Sequence, residues 1–143
     1  MRVDIHLALE LVRSTQTDLT RFPRRLKVRR FRRAAVAGLY NCFTDTLHLS
    51  ERYLVELDDE QAADLLDTVI HELLHANAPL LKQMRDTFLP HPDIYAEAAR
   101  RAAPLHAHFR ALREQVRSTD YASNSPTSQQ APSGQWPAQA PRR

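Results

Sequence analysis

His71 and His75 stand four residues apart with Glu72 between them, in the run His71-Glu72-Leu73-Leu74-His75. On a helix, side chains at that spacing project from one face, one turn apart. Two imidazoles so placed can grip a single divalent ion, and zinc suits nitrogen donors in a tetrahedral site. Glu72 is turned by about 100° from His71 on such a helix, so its carboxylate reaches a water at an open coordination position rather than the metal. Zinc lowers the pKa of such a water towards about 7, and a nearby carboxylate can complete its deprotonation and pass the proton to a leaving amine. Glu72 therefore reads as a general base beside one Zn2+ ion, in the chemistry of peptide-bond hydrolysis. Cys42 is the single cysteine, which leaves no internal disulfide and no cysteine-built zinc ribbon. The ligands must be histidines and carboxylates.

The element that carries this run is the clearest in the chain. Asp58 with Gln61 three residues on has the form of a capping box, and Asp59 and Glu60 complement the helix dipole. Leu66, Val69, Ile70, Leu73 and Leu74 form one apolar stripe, with Asp64, Asp67, Thr68, His71, Glu72 and His75 opposite. Pro79 ends the helix. Upstream, Ile5, Leu9 and Val12 behind Asp4 as N-cap predict a first helix to about Thr17. From Leu26 to Ser50 the alternation of Leu26 and Val28 with basic residues, and the run Thr46 to Ser50, predict two or three antiparallel strands. Gly38 lies among them, with a turn between Asn41 and Asp45. Downstream come a short helix over Leu80 to Phe88, a helix from Asp93 to about Ala103 with Pro92 in its first turn, and a break at Pro104. Leu105, Phe109, Leu112 and Val116 share a face to about Arg117.

The chain has 143 residues, 43% of them hydrophobic and 26% charged, the composition of one soluble domain. Residues 1–117 are expected to form it, and 118–143, rich in Pro, Ser and Gln and holding Trp136, to be a disordered tail. No apolar run reaches the roughly 20 residues of a membrane span, and no membrane partner is expected. The N-terminus does not read as a signal peptide, so the expected location is cytoplasmic. The net charge is only +3, but seven arginines and Lys27 fall between Arg21 and Arg33 with no acid among them. Such a block, with Arg29, Arg30, Arg32 and Arg33 at its end, suits phosphate and makes DNA a candidate partner. The competing reading is an edge strand kept charged against aggregation.

From Gly38 to His91 the sequence resembles the SprT-like (Spartan-related) zinc metalloprotease domain of the zincin superfamily. The residues that carry the resemblance are Ala37-Gly38, the strand Thr46-Leu47-His48-Leu49-Ser50, the acidic-capped helix with His71 to His75 followed by Ala76, and Pro90-His91 with Tyr95 four residues on. Pro92 stands where the family usually has glycine. The resemblance implies His91 as third metal ligand. Glu97, 22 residues after His75 on the next helix, is the alternative, used in the same way by the gluzincin branch, and Asp93 stands behind both. It also implies a protein or peptide substrate, with proteins on or near DNA as a candidate class.

The expected fold is α+β, a minimal zincin-like domain with helices packed on a small, mainly antiparallel sheet and the HExxH run on the central helix. Thr46 to Ser50 is expected at the sheet edge above that helix, where an extended peptide can add by main-chain hydrogen bonds. Tyr40 and Tyr95 are candidate oxyanion donors. His48 is expected opposite Leu47 and Leu49 on its strand, and His6, His106 and His108 on helix surfaces. The alternative function is a non-catalytic metal-binding or nucleic-acid-binding regulatory module that retains the fold.

Overall fold

The structure is a computed structural model that describes residues 2–124. Helix α1 (Arg2–Thr15) leads to strands β1 (Arg25–Arg29), β2 (Gly38–Asn41) and β3 (Thr46–Ser50). A 3-10 turn at Glu51–Leu54 joins them to α2 (Asp59–Asn77), α3 (Leu80–Phe88), α4 (Pro92–Ala102) and α5 (His106–Asn124). The architecture is α+β, with helices packed on a small three-stranded sheet.

The sheet has the order β1-β3-β2. β2 and β3 are antiparallel, Tyr40 opposite Leu47, whereas β1 and β3 run parallel, Leu26 beside Leu47. This corrects two expectations. The sheet is mixed rather than mainly antiparallel, and Thr46 to Ser50 is the central strand rather than an edge. The tight turn after β2 explains both. Asn41 Oδ1 accepts from the backbone N–H groups of Phe43 and Thr44 at 3.0 and 3.1 Å, and Asp45 takes a positive φ of 47°, so β3 folds straight back on β2. One edge of β3 is then occupied, and β1 takes the other. Residues 30–37 step across the end of β3, about 9.6 Å or two strand spacings, where Ala37 O accepts from Ser50 N at 2.9 Å. Burial alternation is the same for parallel and antiparallel neighbours, which is why the pattern does not disclose the direction.

Helix α2 begins on the reciprocal cap seen in its sequence. Gln61 N donates to Asp58 Oδ1 at 2.8 Å and Asp58 N to Gln61 Oε1 at 3.1 Å. Its end is tied to the segment before β1, because the Asn77 amide bonds both the N–H and the C=O of Arg21, each at 2.9 Å. Leu65, Leu66, Val69, Ile70 and Leu73 are fully buried with Ile5 and Val12 of α1, Leu47 and Leu49 of β3, and Phe109 of α5. The stripe holding Thr68, His71 and Glu72 is buried too. It lies against β2 and α4 instead of facing solvent.

Asp4 is not an N-cap. It sits in the first turn of α1 and pairs with buried Arg113 of α5 at 3.0 Å. Pro104 tightens the chain to 3-10 geometry over Ala103–Leu105, after which α5 continues to Asn124, beyond the expected end near Arg117. Ser118 to Asn124, expected in the tail, are therefore helical. The rest of the tail expectation, residues 125–143 with Trp136, lies outside the described residues.

Candidate metal centre

Two elements supply the site. The C-terminal half of α2 presents His71, Glu72 and His75, and the residue before α4 presents His91. Pro92 bars the α conformation to its predecessor, and His91 accordingly takes φ −132°, ψ 64°. That backbone turns its ring back over α2. His75 Nε2 lies 3.1 Å from His71 Nε2 and 3.2 Å from His91 Nε2. One nitrogen from each of the three rings lies within 4.8 Å of the others.

The donor set fits a zinc ion. Nitrogens bound at about 2.0–2.1 Å in tetrahedral geometry stand about 3.4 Å apart, close to the 3.1 and 3.2 Å that separate His75 from His71 and His91, with all three within 4.8 Å. His91 Nδ1 lies 3.0 Å from Leu89 O; with the proton on Nδ1, Nε2 keeps its lone pair for the cluster. Burial, followed by the like charge of neighbouring imidazoles, lowers the pKa of both His71 and His75 to about 4. Both rings are therefore neutral donors at pH 7.

Glu72 is only 5% exposed. Burial raises its pKa to about 8, opposed by the backbone N–H of Tyr40, which donates to Oε2 at 2.6 Å. β2 approaches this closely because Gly38 has no side chain. A Cβ there would lie 2.7 Å from Thr68 Cγ2 and 2.9 Å from Glu72 Cγ. Between β2 and α4 a cleft of 160 Å³ exposes the three histidines and Glu72, with Leu39, Cys42 and Tyr95 on its walls.

The two tyrosines differ. Tyr40 is buried, and its hydroxyl donates to Asp45 Oδ1 at 2.8 Å, its pKa pushed up to about 12 by burial and that bond. It is committed to the turn and is no free oxyanion donor. Tyr95, 63% exposed, stacks on His91 at 5.4 Å and 8° and approaches His71 with centroids 4.2 Å apart. Of the two, Tyr95 is the one that stands against the histidines.

Glu97 takes no part in the cluster. Arg100 and Arg101 hold it at 2.7 and 2.6 Å and lower its pKa to about 2. Asp93 pairs with Lys82 at 3.0 Å. His48 stands between Lys27 and Leu39 in register on the central strand, half-buried, its pKa lowered by burial and by Arg29 and Lys27. His106 is not a bare surface residue, since its Nε2 lies 2.8 Å from Asp67 Oδ1. His6 and His108 are exposed.

The basic segment lies on β1 and the loop after it, at the sheet edge away from the cleft. Arg29 stacks over Phe31 at 4.7 Å, Arg30 lies 3.8 Å from Glu51, and Arg30, Phe31, Arg32 and Arg33 line one side of a surface groove. Sequence reasoning missed the Tyr40 backbone and Asp86, which lines the cleft behind His75. The first has no side-chain signal, and the second is an ordinary acid on a short helix. None of the helices among the described residues is long and apolar enough to cross a membrane. Compared with family models, curated proteins and solved structures, the chain matches none of them.

Proposed function

We propose that this protein is a zinc-dependent metallopeptidase of the SprT-like, zincin kind. The observation that carries the reading is the convergence of His71, His75 and His91 beside a buried carboxylate on the same helix. His71, His75 and His91 would hold one zinc ion. Bound zinc supplies Lewis acidity, polarising a carbonyl and acidifying a water.

The chain's own residues do the rest. Glu72 accepts the proton of the attacking water and delivers it to the departing amine. In the metal-free protein burial raises its pKa to about 8, and the charge of a bound zinc ion would bring it down again, leaving the carboxylate ionised to take the proton. Tyr40 N–H fixes the carboxylate by occupying Oε2, which leaves Oε1 for the proton. That N–H points away from β3, and in an antiparallel strand the C=O of the same residue points with it. The outer edge of β2 therefore offers an extended peptide the Tyr40 carbonyl beside the three histidines, the N–H being held by Glu72. β2, not Thr46 to Ser50, is the edge suited to this.

The substrate class we propose is protein or peptide bound in extended form, including proteins on DNA, with Arg29, Arg30, Arg32 and Arg33 as the tether. Purified zinc-loaded protein is expected to cleave an unfolded protein, and Glu72→Gln to keep the metal and lose cleavage. Metal bound with no cleavage by the native chain, with or without DNA, rejects the enzyme and leaves a metal-binding regulatory module.

A further inference from the structure

Asp86 is a buried acid outside the His and Glu run. It lies on α3 and is 4% exposed, in a position where an unpaired charge is costly. Two cations compensate it. Lys82 Nζ donates to Oδ2 at 3.0 Å, and Arg85 donates to Oδ1 from Nε and Nη2 at 3.1 and 3.0 Å. The same Oδ2 faces Nδ1 of His75 at 4.0 Å. Lys82 reaches further, to Asp93 Oδ2 at 3.0 Å in the first turn of α4. One lysine thus links the acid behind His75 to the turn that carries His91. Gln83 Nε2, donating to Ala78 O at 2.6 Å, fastens α3 to the end of the metal helix.

We infer that Asp86 is a positioning residue of the metal centre, orienting His75 through Nδ1, while Lys82 extends the hold through Asp93 to the turn bearing His91. The inference rests on the metal reading of the three histidines. An ionised carboxylate facing an imidazole favours the tautomer with the proton on Nδ1 and makes Nε2 the more basic donor. Here that nitrogen is the one directed at His71 and His91. A purely structural acid would hold α3 in place without any bearing on which nitrogen of His75 carries the proton.

The test uses the full chain and zinc alone. Zinc affinity is measured by competition with a chromophoric chelator for the native protein, Asp86→Asn and Lys82→Met. Asp86→Asn is expected to bind zinc about 10–100-fold more weakly, and Lys82→Met to lose less because the carboxylate stays. Nitrogen-15 spectra of the metal-free native protein at neutral pH are expected to show His75 protonated on Nδ1. A native protein that binds no zinc overturns the metal reading and the role of Asp86 together. Native binding with an unweakened Asp86→Asn overturns the positioning role alone. If Asp86→Asn does not fold, the native spectrum decides, and a His75 protonated on Nε2 overturns the inference.

Discussion

The backbone N–H of Tyr40 donates to Glu72 Oε2 at 2.6 Å, joining the outer strand β2 of the sheet to α2 across 32 residues of sequence. The bond needs β2 to lie almost on α2, and Gly38 provides the clearance. Gly38→Ala would set a methyl group 2.7 Å from Thr68 Cγ2 and 2.9 Å from Glu72 Cγ, well inside contact distance. Relief requires β2 to lift or the helix side chains to leave their rotamers, at a cost of about 1–3 kcal/mol. Denaturant unfolding is expected to show that loss, accompanied by lower peptidase activity because the Tyr40 bond lengthens. A variant as stable and active as the native chain would mean that this close approach is dispensable.

Glu72→Gln keeps the shape of the side chain but cannot accept the proton. Its amide can still pack beneath Gly38, so folding and zinc content are expected to be unchanged. Cleavage is expected to fall by about 10²–10⁴-fold, the usual worth of a positioned general base. The paired measurements are metal analysis and initial rates on an unfolded substrate. Native rates in the Glu72→Gln variant would remove Glu72 from the chemistry.

The ligand set can be tested by substitution as well. His91→Ala should lower zinc affinity sharply, since it removes one of three converging nitrogens. Glu97→Gln should leave the affinity unchanged, because that carboxylate is held by Arg100 and Arg101. Chelator competition on the two variants separates the alternatives, and the reverse ranking would make the site a His-His-Glu one.

The contrast between His91 and Glu97 also shows what the sequence can disclose. α2 was legible because its cap, its apolar stripe and Pro79 are local signals that agree with one another. The spacing of His71 and His75 carries the same kind of information. His91 and Glu97 follow His75 by 16 and 22 residues, and which one joins the His71–His75 pair depends on how α4 packs, which no local signal states. Pro92 was legible as a helix start, but its control of the His91 backbone emerges only with the fold. The sheet was harder. Alternation in Leu26 to Val28 and again in Thr46 to Ser50 reveals strands, yet neighbour order and direction follow from the Asn41–Asp45 turn and from the span of residues 30–37. Tyr40 N–H and Asp86 are contacts between elements and leave no pattern along the chain.

Acid should weaken the metal-free protein through the same histidines. His71 and His75 have folded-state pKa values of about 4, below the unfolded value of about 6.5. Between these limits the unfolded chain binds more protons, so stability rises with pH. The contribution is present above about pH 6.5 and is lost as the pH falls towards about 4. Melting of the metal-free protein is expected to drop across that window, with a smaller drop in His71→Phe. Saturating zinc should shift the drop to lower pH, because protons must then displace the ion. Glu72, its pKa raised to about 8, acts in the opposite sense over the same range, so the comparison decides. Native and His71→Phe proteins whose melting temperatures change alike across the window would mean that the ring is not held neutral by the fold.

The basic segment yields a prediction independent of the metal. Arg29 ends β1, on the edge opposite β2, and Arg30, Arg32 and Arg33 lie in the loop that follows, none of them lining the cleft. Their charge can be removed without touching a cleft histidine or α2, although Arg29 also acts on His48 of the sheet. If they contact phosphates, each contact releases counterions, and the slope of log affinity against log salt changes by about 0.9 per phosphate on duplex DNA. Replacing all four by serine is expected to weaken duplex binding and flatten that slope by as much as about 4. Cleavage of a free peptide should be unaffected, while cleavage of a DNA-bound protein should fall towards the rate for the same protein without DNA. Fluorescence anisotropy across a salt series reads the first effect and gel-resolved cleavage the second. Unchanged affinity and slope would return these arginines to the simpler role of keeping an exposed edge strand soluble.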